Sequence, residues 1–251
     1  MSKTIIVANW KMNPVTWREA KKLFESTKKA VEKTKNSSVI VAPPVIFLRG
    51  LSGTYRGSRV AFAVQNGHFK TNGAHTGEIS LAQSKDAHAS YVIIGHVERR
   101  ASGETNDDAG KKAAGALALK MIPILCVGES ERTESGEQFN VVREQIRAGL
   151  ADVPASALGR VILVYEPLWT IGTNTTMNPS EMHQMAIFMR KCVVETHGGG
   201  GRALKILYGG GVDGKSAEVM LREGDVCGFL VGRASLNASE FAKLLQAIEN
   251  V

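Results

Sequence analysis

The run Val-Ile-Leu-Val-Tyr at 161–165 ends on an acid, Glu166. A carboxylate at the end of so apolar a run costs free energy unless something neutralises it or uses it. Pro167 stops the run, and Trp169 and Gly172 follow shortly after. Other groups able to do chemistry stand in the same relation to other apolar runs. Asn9 and Lys11 follow Thr4–Ala8, His96 and Glu98 follow Tyr91–Ile94, and Glu129 follows Ile122–Val127. Gly209–Gly211 follow Lys205–Tyr208, and Gly232 and Arg233 follow Gly228–Val231. A poorly solvated carboxylate holds a proton more tightly than one in water, which makes it a stronger general base. Glycine-rich turns offer bare backbone amides to phosphate oxygens. Cation, imidazole, isolated acid and glycine turns together suit proton transfer on a small phosphorylated molecule.

Taken singly, each has an ordinary alternative. A lysine near a strand end is commonly just solvated, His96 could be a satisfied half-buried ring, and Glu98-Arg99-Arg100 could be a surface charge run. The glycines of YGGGV could mark only a tight turn. Their convergence depends on the elements that carry them. Eight β-branched runs recur: the six above, together with Ser38–Ala42 and Val60–Val64. They are continuously apolar rather than alternating, as parallel strands covered on both faces are. Helical stretches lie between most of them, most clearly Trp17–Thr34 and Pro179–Thr196, the latter with Asn178 before its proline and glycines after it. The spacing is that of βαβ units. No linker or composition shift divides the chain, so residues 1–251 are expected to form a single domain, a (β/α)8 TIM barrel. A dinucleotide fold would need G-x-G-x-x-G after the first strand, where this chain has ANWKMN. In a barrel every strand end named above opens onto the same mouth.

Hydrophobic residues make up 43% and charged residues 22%, ordinary values for a soluble globular protein. No apolar run approaches the ~20 residues that cross a bilayer. The N-terminus shows neither a secretory apolar stretch nor a small-residue cleavage pattern, so a cytoplasmic location is expected. Cys126, Cys192 and Cys227 are dispersed and form no CxxC pair, so all three are expected to be reduced. The net charge of +7 comes from lysines and arginines spread along the chain. Without zinc-finger spacing, an aromatic RNA-binding signature or a basic tail, neither nucleic acid nor membrane is an expected partner; a small anionic substrate is. His68, His75, His88, His183 and His197 lack metal-ligand spacing, and no metal site is expected.

An ordered set of short motifs carries a more specific signal. NWKMN at 9–13, TGE at 76–78, IGH-x-ERR at 94–100, CVGE at 126–129, YEP-x-W at 165–169, IGT at 171–173, YGG at 208–210 and GFLVG at 228–232 resemble the triosephosphate isomerase family. The likeness runs from residue 4 to about residue 240, and that family is itself a worked case of tuned acid–base chemistry. The resemblance implies that Glu166 is the base that removes a proton beside the carbonyl of dihydroxyacetone phosphate or glyceraldehyde 3-phosphate. It implies that a neutral His96 polarises the carbonyl and shuttles protons, and that Lys11 stabilises the enediolate, with Asn9 adding a hydrogen bond. Glu98 would organise Lys11. The amides of Gly172, Gly211, Gly232 and Arg233 would hold the phosphate. Residues 168–178 would form a lid hinged at Pro167 and Trp169, caught by the Tyr208 hydroxyl when closed, with Glu129 holding Trp169 when open. A 1,2-proton shift through an enediolate needs no redox cofactor and no metal, but it does need water excluded. The 65–78 loop would reach a neighbouring subunit, where Thr76 braces the site, so the resemblance also implies a homodimer.

Several residues depart from the family pattern. Val97 and Gly211 stand where serines are usual, and Arg233 replaces the second glycine of a phosphate-binding pair. A side chain there would strain the turn if the position required φ > 0. Thr170, Asn174, Thr175 and Met177 alter the lid. Two other readings stay open: another phosphosugar isomerase or lyase on the same barrel, and a catalytically silent barrel with a basic binding surface.

Overall fold

Strands buried on both faces and joined by helical crossovers can shed their edges only by closing. In the computed structural model, which describes residues 3–170, 176–199 and 201–251, they form a closed parallel barrel. Its strands are β1 (Thr4–Asn9), β2 (Ser37–Ala42), β3 (Val60–Val64), β4 (Tyr91–Ile94), β5 (Ile122–Val127), β6 (Ile162–Tyr165), β7 (Lys205–Tyr208) and β8 (Gly228–Val231). Each pairs with the next, and β8 returns to β1. The expected runs and these strands agree to within one residue at either end.

The apolar runs divide by alternation. Ile5, Val7, Ile40, Ile93, Ile124, Ile162, Val164 and Leu230 pack together inside the barrel. Their neighbours Ile6, Ala8, Val39, Val41, Leu163 and Phe229 pack outward against the helices. Those helices are α1 (Trp17–Glu32), α2 (Val45–Thr54), α3 (Leu81–Asp86), α4 (Val97–Ala101), α5 (Asn106–Ala118), α6 (Glu137–Gly149), α7 (Pro179–His197), α8 (Gly214–Glu223) and α9 (Ala238–Glu249). Local chemistry sets their ends. Thr16 and Glu19 form a reciprocal capping box on α1. Asn178 caps α7 ahead of Pro179, and Gly198 ends it at φ 67°. Helix α1 stops short of the expected Thr34, whose hydroxyl instead bonds back to the Val31 carbonyl. The Glu249 carboxylate at the end of α9 accepts from the amides of Lys35 and Asn36 and from the Ser37 hydroxyl, tying the last helix to the start of β2. No described helix is long and apolar enough to cross a membrane.

The seam where β8 meets β1 requires glycine. Gly228 sits at φ 147°, and a Cβ built there would collide with the Ile5 backbone. Gly228→Ala should lower unfolding stability by at least about 2 kcal/mol, combining a disfavoured backbone region with overpacking. The midpoint of urea denaturation checks this, and an unchanged midpoint would contradict it.

Candidate active site

Strand ends at the C-terminal mouth enclose a cavity of about 340 Å³ whose walls include Asn9, Lys11, His96, Glu98, Glu166, Gly211, Gly232 and Arg233. Glu166 follows β6 directly, and its amide continues the ladder to the Val127 carbonyl at 2.8 Å. Its side chain is only 3% exposed. One carboxylate oxygen lies 3.3 Å from His96 Nε2, and the other accepts from the Val97 amide at 3.2 Å. The chain can bring β5 this close to Glu166 because residue 128 is glycine; a Cβ there would strike the Glu166 carbonyl. Beneath the acid, burial and then the nearby carboxylate push the Cys126 thiol well up, so it stays protonated.

His96 is the N-cap of α4, and its Nδ1 accepts from the Glu98 amide at 3.2 Å. That bond leaves the ring proton on Nε2, the nitrogen facing Glu166. An imidazole held in this tautomer donates toward the cavity. Lys11 reaches the site from the turn after β1, with its ammonium 2.5 Å from Glu98 Oε1. Its backbone lies in the left-handed region at φ 53°, which side-chain-bearing residues rarely adopt. Two groups hold it there: Asn9 Oδ1 accepts from the Lys11 amide at 3.0 Å, and Gln65 Nε2 donates to the Lys11 carbonyl at 2.8 Å.

Glu129 is buried apart from this cavity. Its carboxylate accepts from the Tyr165 hydroxyl at 2.7 Å, the Trp169 indole at 3.2 Å and the Arg132 guanidinium at 3.4 Å. Burial and Glu129 together push the Tyr165 phenol far up, keeping it a donor. Arg132 also lies over the Trp169 ring and pairs with Glu181 on α7 at 3.2 Å. Past the described gap, the Tyr208 hydroxyl accepts from the Met177 amide at 3.1 Å, and Thr176 donates to the Gly211 carbonyl at 2.9 Å. Thr170 is buried, with its hydroxyl donating to the Pro167 carbonyl.

Not every expected residue reaches the cavity. Thr76 is exposed and outside its walls. Gly172, with Asn174 and Thr175, lies outside the described residues. Arg233 shows no positive φ and instead opens a short 3-10 turn, so the anticipated strain does not arise. Residues that the sequence reading passed over include Tyr165, Arg132 and Gln65. They also include a brace behind His96, where the buried Glu104 carboxylate accepts from the Gly95 amide at 2.9 Å and pairs with Lys112 at 3.2 Å.

The sequence model of one family, described as Triosephosphate isomerase, matches residues 4–248. A protein named Triosephosphate isomerase from Endomicrobium trichonymphae is 37% identical over 98% of this chain and 99% of its own length. Proteins of the same name from Alkaliphilus oremlandii (strain OhILAs) and Roseiflexus sp. (strain RS-1) are 38% and 36% identical over 98% of this chain, and 99% and 97% of their own lengths.

The geometry at Lys11 has a consequence separable from its charge. Lys11→Gly should be more stable than Lys11→Ala by about 1 kcal/mol, because only glycine occupies the left-handed region without a Cβ penalty. Chemical denaturation of the two variants decides this. Equal stability would mean the turn relaxes once the lysine is gone.

Proposed function

The chain belongs to the triosephosphate isomerase family and its reaction is triose-phosphate isomerisation, and from that premise we propose that Glu166, His96 and Lys11 carry the chemistry. The observation that carries this assignment is the 3.3 Å approach of Glu166 to His96 Nε2 at the wall of a cavity that also holds the Lys11 ammonium. A phosphorylated ketose offers that pair a C–H and, on the adjacent carbon, a carbonyl oxygen. Glu166 takes the proton from C1, and the C–H electron pair becomes the C1–C2 double bond as charge moves to the carbonyl oxygen. His96 Nε2–H stabilises that oxygen and donates to it. The imidazole then recovers a proton from the hydroxyl on C1. Glu166 returns its proton to C2, leaving the aldose. Lys11, held by Glu98 and positioned through Asn9, offsets the enediolate and phosphate charge.

Gly172, Gly211, Gly232 and Arg233 are proposed to present amides to the phosphate; the last three border the same cavity as Lys11. Segment 168–178 is proposed as the cover that keeps water from the enediolate. Its described flanks support this, since Trp169 is anchored on Glu129 and Met177 on Tyr208. We also propose a homodimer in which Thr76 of one subunit braces Asn9 and Lys11 of the other. Met12, Val15 and Ile46 are 90%, 85% and 78% exposed near this face, an apolar surface a partner would cover. The free cysteines fit a reducing, cytoplasmic setting.

A coupled assay should show interconversion of dihydroxyacetone phosphate and glyceraldehyde 3-phosphate, with Glu166→Gln about 10²–10⁴-fold slower in kcat. No isomerisation above the Glu166→Gln level, or faster turnover of a larger phosphosugar, would overturn the assignment. Glu166→Asp withdraws the carboxylate by roughly an ångström and should cost about 10²-fold. Val97→Ser should cost far less, because the bond to Glu166 comes from the Val97 amide; comparable losses would contradict this. Sedimentation should find a dimer, and a fully active monomer would remove the bracing role of Thr76.

A further inference from the structure

At the opposite end of the barrel, the strands begin around a second cavity of about 350 Å³. Its floor is apolar, built from Ile5, Ile40, Ile122 and Ile162 on β1, β2, β5 and β6. Its rim is basic. Lys3 precedes β1, Arg160 precedes β6 and Lys205 starts β7; all three are exposed, and the lining contains no aspartate or glutamate. Strands β6, β7, β8 and β1 are consecutive around the barrel, and Lys205 stands opposite Ile162 in the β6–β7 register. Arg160 and Lys205 therefore stand on adjacent strands of the rim, with Lys3 two strands further round, and Ile122 on β5 and Tyr91 on β4 continue it past Arg160.

We propose that this N-terminal mouth binds a small amphipathic monoanion, an aliphatic carboxylate whose chain lies on the isoleucine floor and whose head meets Lys3, Arg160 and Lys205. The three cations give this rim one sign of charge, which an anion complements. A compact anion such as phosphate would gain only screened surface attraction and no apolar contact. A neutral or cationic chain would cover the floor but leave the rim unmatched. The volume lies near the lower end of the roughly 300–1,000 Å³ range for ligand pockets, which suits a single short chain. The reaction mouth is at the other end of the strands, and the two cavities share no lining residue.

Cys227 also lines this cavity and is half-buried, whereas Cys126 and Cys192 are buried, so it reports on occupancy. Octanoate is titrated into the full chain while the rate of Cys227 alkylation by iodoacetamide and the heat of binding are followed. Butyrate, inorganic phosphate and octyltrimethylammonium serve as comparison probes. The proposal expects saturable binding of one octanoate that slows alkylation and leaves the isomerase KM unchanged. Butyrate should bind about a hundredfold more weakly for its four missing methylenes. Arg160→Ala/Lys205→Ala should weaken octanoate about fivefold or more, and octyltrimethylammonium should not protect the thiol. Octanoate that leaves the alkylation rate unchanged, binds the double variant equally, or is displaced by inorganic phosphate would overturn the proposal. Phosphate protecting Cys227 as well as octanoate does would also overturn it.

Discussion

Glu166 is withdrawn from water, and its carboxylate meets an imidazole N–H, one backbone amide and the Cys126 thiol. No lysine or arginine pairs with it among the described residues. Desolvating an ionised carboxylate costs several kcal/mol even after relaxation, so this is an expensive arrangement unless the acid has work to do. The surrounding mouth follows from that constraint. Gly128 lets β5 approach the acid, Nδ1 of His96 is used up by the Glu98 amide so that Nε2 keeps its proton, and Lys11 is led off toward Glu98 rather than neutralising Glu166.

Two other buried acids show what a structural carboxylate looks like in the same barrel. Glu129 is met by a phenol, an indole and a guanidinium, and Glu104 by a backbone amide and Lys112. Each has strong donors and neither borders the cavity. Removing their partners would leave a buried charge unmatched, which makes them braces. Glu166 alone of the three faces a space a substrate can enter. The left-handed backbone at Lys11 sits at the mouth, held by Asn9 and Gln65, while His88, Lys120 and Asp225 adopt the same region away from it.

The strands were legible because parallel strands buried on both faces leave continuous β-branched runs, and Glu166 was legible because an acid breaks such a run at its end. Tyr165 was hidden by the same logic, since a tyrosine inside an apolar run looks like packing and its hydroxyl partner is distant in sequence. Arg132 lies in the charged stretch SERTESGE, which reads as solvated surface; only the fold shows it bridging Glu129, Trp169 and Glu181. Gln65 and Lys112 act across loops whose spacing carries no signal. At Arg233, the chain avoids left-handed backbone by turning at once into a 3-10 segment. The left-handed residue at this mouth is Lys11, and nothing in a lysine's chemistry announces that.

The central claim is that Glu166 moves a carbon-bound proton through an exchangeable carboxylic acid. The most direct measurement is isomerisation of dihydroxyacetone phosphate in D₂O, with the aldose product followed by proton NMR. The account predicts deuterium at C2 of the product, introduced while the proton resides on Glu166. Product that retains the original hydrogen quantitatively at C2 would mean direct hydride transfer between carbons and would contradict it.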